Sequence, residues 1–177
     1  PPRRRLPSPA AERRRRSPPA ALPPMHTLVR RYLKTAVGFL AAGLALGLWL
    51  VARRELRGAW PSPHLVSAHA HAILVGFVML LIQGVALWMF PRPEKGDTRY
   101  DPRRAEAAFW LVALGTAGRV GAEVLRGALA SDAVALRWTI VLGSTAQAVG
   151  LLLFFHTMWT RIRPVGSAQR EARGERF

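Results

Sequence analysis

The stretch that decides the fold is residues 64–90, HLVSAHAHAILVGFVMLLIQGVALWMF, which contains no Asp, Glu, Lys or Arg. It is longer than the ~20 apolar residues that a helix needs to cross ~30 Å of hydrocarbon. Three further long apolar stretches occur in the chain, at Tyr32–Val51, Ala105–Leu125 and Ala135–Thr160. The sequence therefore predicts an all-α integral membrane protein, a bundle of four helices in contact with the lipid bilayer.

The segments outside these stretches have a different composition. Residues 1–24 are rich in Pro and Arg and lack apolar periodicity, so they are expected to be disordered, with Met25 as the true start of the chain. Residues 25–163 form the predicted transmembrane domain, and residues 164–177 form a basic cytoplasmic tail. The link 91–104 contains the Pro, Gly and Asp that are typical of a loop.

The net charge of +16 is concentrated in the leader and at the ends of the apolar stretches. Such flanking charge is typical of membrane topology, and we expect no nucleic-acid partner. One side of the predicted bundle carries thirteen Lys and Arg, in residues 25–34, 91–104 and 161–177. The other side carries five, namely Arg53, Arg54, Arg57, Arg126 and Arg137. The positive-inside rule then places both termini in the cytoplasm, and we expect a multi-pass protein of the bacterial cytoplasmic (inner) membrane.

Three of the five histidines, His64, His69 and His71, lie near the outer end of the second predicted helix. Two residues turn a helix by about 200°, so His69 and His71 face nearly opposite directions. Seven residues turn it by about 700°, so His64 and His71 share a face. A single prosthetic group can therefore be ligated by His69 or by His71, but not by both. The chain has no cysteine, which excludes disulfides, cysteine-ligated zinc and iron–sulfur clusters.

The third predicted helix carries Arg119 and Glu123 at a depth similar to that of His69. Their i, i+4 spacing allows them to form an ion pair, and ionisable residues inside a membrane indicate a functional site by default. The alternative is that they neutralise each other and only hold the bundle together. His156 lies roughly 20 Å from His69 along the membrane normal and cannot share its ligand. It forms a separate inner site with His26 or caps the bundle.

The first two helices resemble the opening helices of subunit I of haem–copper oxidases. The resemblance rests on LVRRYLKTAVGFLAAGLALGLWL (28–50) and SAHAHAILVGFVMLLIQGVALWMFPRP (67–93). Within it, Ala68-His69-Ala70 is followed by Gly84 at the spacing that this superfamily shows after its low-spin haem ligand. The branch it resembles comprises cbb-type oxidases, nitric-oxide reductases and the nitric-oxide-response haem–copper membrane family, whose next helix ends in a sequence similar to Gly118-Arg119. The resemblance covers residues 28–92 and, more weakly, residues 105–125; the fourth helix is not part of it.

The resemblance implies that His69 is an axial ligand of haem b, with His71 as the fallback. Independently of the resemblance, the depth of Arg119 and its guanidinium fork allow it to pair with a haem propionate, and His64 and Glu123 are further candidate residues of the cofactor site. The resemblance does not imply a copper site or a complete catalyst, because the later helices that carry the copper and high-spin haem ligands are missing. The implied role is electron transfer, nitric oxide or oxygen binding, or support of a respiratory oxidase or nitric-oxide reductase.

The sequence leaves open the sixth iron ligand and two alternative functions. The sixth ligand of the iron is missing, and a homodimer that shares one haem between two His69 side chains would supply it. The chain is alternatively a cofactor-free structural or assembly subunit of a membrane respiratory complex. A third alternative is a metal-handling protein that uses His64 and His71, although two histidines alone form an incomplete site.

Overall fold

The computed structural model describes residues 27–91, 101–162 and 173–174. Four long helices account for most of these residues. Helix α1 is Thr27–Arg57, α2 is Pro63–Met89, α3 is Pro102–Leu129 and α4 is Val134–Met158, which continues into a 3-10 turn at Trp159–Arg161. The four apolar spans of the sequence prediction are confirmed; α1 and α3 extend beyond their apolar stretches at both ends, whereas α2 and α4 begin one residue earlier and end one or two residues earlier than predicted. The predicted leader, most of the tail, His26 and residues 92–100 of the predicted loop lie outside the described residues.

The described helices form two hairpins, α1–α2 and α3–α4, that turn at the same end of the molecule. We call this end, with residues 58–62 and 130–133, the hairpin end, and the opposite end, with Thr27 and Arg161, the terminal end. Gly58 with φ 62° and Ala130 with φ 51° end the first helix of each hairpin in left-handed backbone. Pro63 then begins α2 at a position where its missing N–H costs nothing.

The start of α3 differs from the sequence prediction. The predicted loop 91–104 ends early, because Pro102, Arg103 and Arg104 already form the first turn of α3. The Asp101 side chain accepts a hydrogen bond from the backbone N–H of Arg103 at 2.8 Å, and Pro102 occupies the first helical position. An Asp cap followed by Pro is a strong helix start, and here it recruits residues that composition alone assigns to the loop.

Helix α2 is not a uniform α-helix. Its residues Pro63–His71 and Leu80–Met89 are α-helical, whereas Ala72–Met79 between them form a π-helix. At the junction, the backbone N–H of Ala72 is shared between the carbonyl groups of Ala68 and His69. The histidine pair therefore lies in regular α-helix, and its predicted angular separation applies, while the wider π-helix begins immediately after His71.

The apolar core is concentrated at the terminal end. Tyr32 of α1 is fully buried and donates a hydrogen bond to the carbonyl oxygen of Ala105 on α3 at 2.9 Å. Its ring centroid lies 4.9 Å from that of Phe109 and 6.0 Å from that of Phe154. Three helices thus meet at one tyrosine, and over their whole length the helices contact each other mainly in the pairs α1 with α2, α2 with α3, and α3 with α4.

The outer surface of the helices is apolar, as expected of a protein in lipid. All six tryptophans are exposed; Trp60 and Trp138 lie at the hairpin end and Trp88 and Trp159 at the terminal end. Exposed tryptophans at both ends of a set of apolar spans are typical of the two membrane–water interfaces. The chain is a multi-pass membrane protein by the length, hydropathy and surface of its four helices.

Candidate functional site

His69 faces α1. Its Nδ1 lies 2.9 Å from the carbonyl oxygen of Gly43, an atom that can only accept a hydrogen bond. Nδ1 must therefore carry the proton, and in the neutral imidazole Nε2 keeps the free lone pair. The partly buried ring is held in one orientation and one tautomer by the backbone of the neighbouring helix.

Two glycines of α1 make room for this side of α2. A Cβ atom at residue 47 would lie 2.6 Å from Cε1 of His69, and one at residue 43 would lie 2.5 Å from Cδ1 of Ile73. The i, i+4 glycine pair therefore admits the imidazole and the neighbouring isoleucine to the surface of α1. Gly47 is the position that most directly determines whether His69 can keep its place.

His71 belongs to the other side of α2. Its Nδ1 donates to the carbonyl oxygen of Ser67, 2.9 Å away, and lies 3.4 Å from the Ser67 hydroxyl oxygen. The Ser67 hydroxyl in turn donates to Oε1 of Glu123 on α3 at 2.9 Å. The predicted divergence of the two histidines is confirmed, since His69 contacts α1 while His71 is joined through Ser67 to α3.

Glu123 is the buried centre of this second side. Only 3% of its side chain is exposed, and Oε1 also accepts a hydrogen bond from Nε of Arg119 at 3.1 Å. The predicted ion pair between Arg119 and Glu123 is therefore confirmed. Oε2 of the same carboxylate is buried and has no hydrogen-bond partner among the described residues. A half-satisfied buried carboxylate is costly, and each such group in a native structure calls for an explanation.

Arg119 packs against α4, where a Cβ atom at Gly143 would lie 3.1 Å from its Cβ, and among the described residues it is linked to His71 only through Glu123 and Ser67. Helices α2 and α3 are antiparallel, and the contact between Ser67 and Glu123 sets their register. One turn further along, this register places His71 and Arg119 at a similar depth. His69, turned by about 200° from Ser67, faces α1 instead. The structure thus brings together Arg119, Glu123, Ser67 and His71, and separates this group from His69.

Further polar residues lie between α2 and α3 on the hairpin-end side of Ser67 and Glu123. A Cβ atom at Gly127 of α3 would lie 2.6 Å from the Ser62 hydroxyl oxygen, so the two helices approach closely there. The Ser62 hydroxyl and Nε of Arg126 are both buried without a hydrogen-bond partner among the described residues. Sequence reasoning assigned Arg126 only to topology and did not single out Ser62. Neither residue has a local motif that would identify it.

The loop beyond α3 carries a small ion-pair network. Asp132 accepts hydrogen bonds from Arg137 through one carboxylate oxygen and from Arg126 through the other. These two guanidinium groups, Arg137 first, lower the pKa of the fully exposed Asp132 carboxyl below its ordinary value. The network joins the end of α3 to the start of α4 through Asp132 of the connecting loop.

The remaining histidines stand apart. His64 is partly exposed and makes no hydrogen bond within the described chain. Nowhere in residues 27–91 and 101–162 do three or more His, Cys, Asp or Glu residues form a group that could hold a metal ion. His156 is exposed in the last turn of α4, at the terminal end and far from the other three.

The terminal end contains polar side chains that sequence reasoning missed. Arg161, counted only as a topology charge, is 4% exposed and donates to the carbonyl oxygens of Leu87, Phe90 and Pro91 at the end of α2. One turn before these contacts, Gln83 and Thr157 are fully buried, and their side-chain polar atoms have no hydrogen-bond partner among the described residues. The only sequence signal was the presence of a glutamine and an arginine beside otherwise apolar runs.

No family model matches the sequence, and neither a curated protein nor a solved structure shows significant similarity to it.

Proposed function

We propose that the chain is a small membrane haem-binding protein that acts in electron transfer, in binding nitric oxide or oxygen, or as an accessory to a respiratory oxidase or nitric-oxide reductase. The observation that carries the proposal is the hydrogen bond from Nδ1 of His69 to the carbonyl oxygen of Gly43. Histidines that ligate metals usually donate their other ring N–H to a carbonyl or carboxylate, which fixes the ring and raises the basicity of the ligating nitrogen.

The donor chemistry fits one axial bond to haem iron. His69 offers Nε2, and the sequence resemblance to haem–copper oxidase subunit I points to the same residue. His71 offers the same tautomer, because its Nδ1 donates to the Ser67 carbonyl, and it is the alternative ligand. When bound, haem b supplies a one-electron redox centre or an open iron position for a diatomic gas.

Other residues of the chain have supporting roles in this proposal. Arg119 retains exposed surface on 19% of its side chain and can pair with an anionic group of a cofactor while it holds Glu123. Arg119 is joined to the His71 side of α2 through Glu123 and Ser67, whereas the resemblance favours His69 as the ligand. The π-helix that begins at Ala72 also supports a site here, since π-helical turns frequently occur at functional sites.

Within the described part of one chain, no histidine on another helix lies near enough to the hairpin end to take the sixth iron position. Among the described residues, the only histidines near the hairpin end are His64, His69 and His71, all on α2. A homodimer with one histidine from each protomer gives a bis-histidine haem, and a lone protomer gives a five-coordinate haem open to gas. With the termini in the cytoplasm of a bacterial inner membrane, His69 and His71 lie towards the outer face of that membrane.

A second candidate function has an observation of its own. The His69 ring packs against Gly47 and satisfies its Nδ1 with the Gly43 carbonyl, which is what a purely structural clasp between α1 and α2 requires. In that case the chain is a cofactor-free structural or assembly subunit of a membrane complex. The two candidates differ in one observable, the presence of a haem spectrum.

The test is an optical spectrum of the purified full-length chain, oxidised and reduced, after expression with haem supplied. We expect a Soret band that is lost in His69→Ala and retained in His71→Ala, with His156→Ala as a control variant far from the site. A low-spin bis-histidine spectrum indicates the shared haem, and a high-spin ferrous form that binds carbon monoxide indicates the gas-binding form. Loss of the band in His71→Ala alone would reassign the ligand, and a wild-type protein without a Soret band would refute haem binding.

A further inference from the structure

Three buried polar atoms that have no hydrogen-bond partner among the described residues belong to the hairpin-end part of α3 and to the residue that precedes α2. They are the Ser62 hydroxyl oxygen, Oε2 of Glu123 and Nε of Arg126. Position 127 of α3 approaches Ser62, so its neighbour Arg126 is at the same level, and Glu123 is one turn below. Ser62 and Glu123 both contribute to the contact of α2 with α3, Arg126 lies at their level, and the three atoms include both donors and acceptors.

Such a group is not stable in a dry membrane interior. An unpaired polar atom in hydrocarbon loses its hydrogen bonds to water without replacement, and the loss is greatest for charged groups such as Glu123 and Arg126. Polar residues inside membranes accordingly face one another or a water-filled space. Buried water typically binds where two to four polar atoms lack protein partners and can share it.

We propose that the hairpin-end third of the α2–α3 interface is a water-binding cleft. Its mouth lies at Ser62 and Arg126, and its floor lies at Glu123 and Ser67, beside His71. The distance along α2 from Ser62 to His71 is about 13–14 Å. Bound water in the cleft completes the hydrogen bonding of Oε2, Nε and the Ser62 hydroxyl, and it connects the aqueous phase beyond the hairpin end to Ser67 and His71.

The cleft is closed on its terminal side. Ala72 and Leu80 on α2 and Val112 on α3 have at most 1% of their surface exposed, and these apolar residues separate the cleft from the buried Gln83 further towards the terminal end. The Thr116 hydroxyl is occupied by the Gln147 amide, which donates to it at 3.0 Å. Water therefore enters from one side of the membrane only, and the cleft is not a channel.

The charged side chains around the cleft determine which sign of ion it favours. Arg119 and Arg126 flank Glu123, and Asp132 with Arg137 forms the rim on the α3–α4 loop. The histidines that share the corresponding face of α2 are His64 and His71. Three positive and two negative groups leave one net positive charge, so the cleft should favour small anions over small cations.

The chain contains no cysteine, so a single introduced thiol reports on water access without background. The test uses the full-length Ser67→Cys protein in sealed vesicles, with membrane-impermeant methanethiosulfonate reagents, one sulfonate-bearing and one trimethylammonium-bearing. The matched control is Ala45→Cys, which lies at a similar depth on α1 and is exposed where the other helices do not cover it. Rates are normalised to the reaction of each reagent with a free thiol.

We expect Ser67→Cys to react at least about tenfold faster than Ala45→Cys, because hydrocarbon excludes both the reagent and the thiolate. We also expect the reaction from one side only, with the anionic reagent faster after normalisation. A second probe, Ser62→Cys at the mouth, guards against misfolding of the first variant. The cleft would be refuted if both thiols, alkylated normally after denaturation, react no faster than Ala45→Cys, or if Ser67→Cys reacts equally from both sides. The readout involves no haem, so it succeeds or fails independently of the proposed function.

Discussion

The imidazole of His69 lies so close to Gly47 that a Cβ atom at residue 47 would come within 2.6 Å of its Cε1. The contact joins α1 to α2 at the level where the ring also donates to the Gly43 carbonyl. It makes Gly47 a residue that positions His69, because any side chain there must displace the ring or separate the helices.

The first prediction follows from this contact. Gly47→Ala should destabilise the protein by about 1–3 kcal/mol, because the added methyl group overlaps the His69 imidazole and must displace it. Gly38→Ala is the matched control on the same helix, because nothing lies within 4 Å of a Cβ there. It should be neutral or stabilise by up to about 1 kcal/mol through helix propensity. Thermal unfolding of both variants in the same detergent measures the difference, and equal midpoints would contradict the close contact.

The second prediction concerns the buried carboxylate. Glu123→Ala removes the acceptor of Ser67 and Arg119 and leaves a guanidinium that is 81% buried unpaired, as its 19% exposure shows. Breaking a buried pair in this way typically costs about 3–5 kcal/mol. Glu106→Ala on the same helix is the control, since its pair with Arg31 is nearly half exposed and should contribute at most about 1 kcal/mol. Denaturant or thermal unfolding compares the stability of the two variants. A Glu123 variant as stable as the Glu106 variant would contradict a buried, stabilising pair between Glu123 and Arg119.

The sequence predicted the spans well because the bilayer imposes a simple rule: about twenty apolar residues, hydrogen-bonded internally. It also predicted that His69 and His71 diverge and that Arg119 pairs with Glu123, since both follow from the rotation per residue within one helix. These features are local, and neighbouring helices do not alter them.

Features that depend on which helices meet were not predictable in the same way. Arg119 was expected at a depth similar to that of His69, but its link through Glu123 to Ser67 of α2 depends on the contact between the two helices and was not predicted. The π-helix at Ala72–Met79 has no signal in the apolar pattern, because it reflects a change in backbone hydrogen bonding rather than in composition. Arg161 reads as one charge among several in a basic tail, and only the end of α2 gives it carbonyl partners.

The third prediction tests this role of Arg161. Arg161→Lys keeps the positive charge, and so the topology signal, but an ammonium cannot reproduce the planar fork that reaches Leu87, Phe90 and Pro91. We expect a loss of about 1–3 kcal/mol, as for buried acceptors that lose their donor. Arg30→Lys, an exposed arginine at the same end, should change stability by less than about 0.5 kcal/mol. Unfolding midpoints that are the same for the two variants would contradict a stabilising role of the hydrogen bonds from Arg161.

The fourth prediction is a pH dependence that originates at Asp132. Hydrogen bonds from Arg137 and then Arg126 lower the pKa of this carboxyl in the folded protein. The unfolded chain then binds the proton more tightly, so the contribution is complete above the ordinary Asp pKa of about 3.9 and is lost as the pH falls through the lowered folded value. Asp132→Asn should remove this component and reduce the loss of thermal stability in acid, with Glu55→Gln as the control in another exposed arginine pair. An acid limb of the stability profile that is unchanged in Asp132→Asn would show that the network does not stabilise the hairpin.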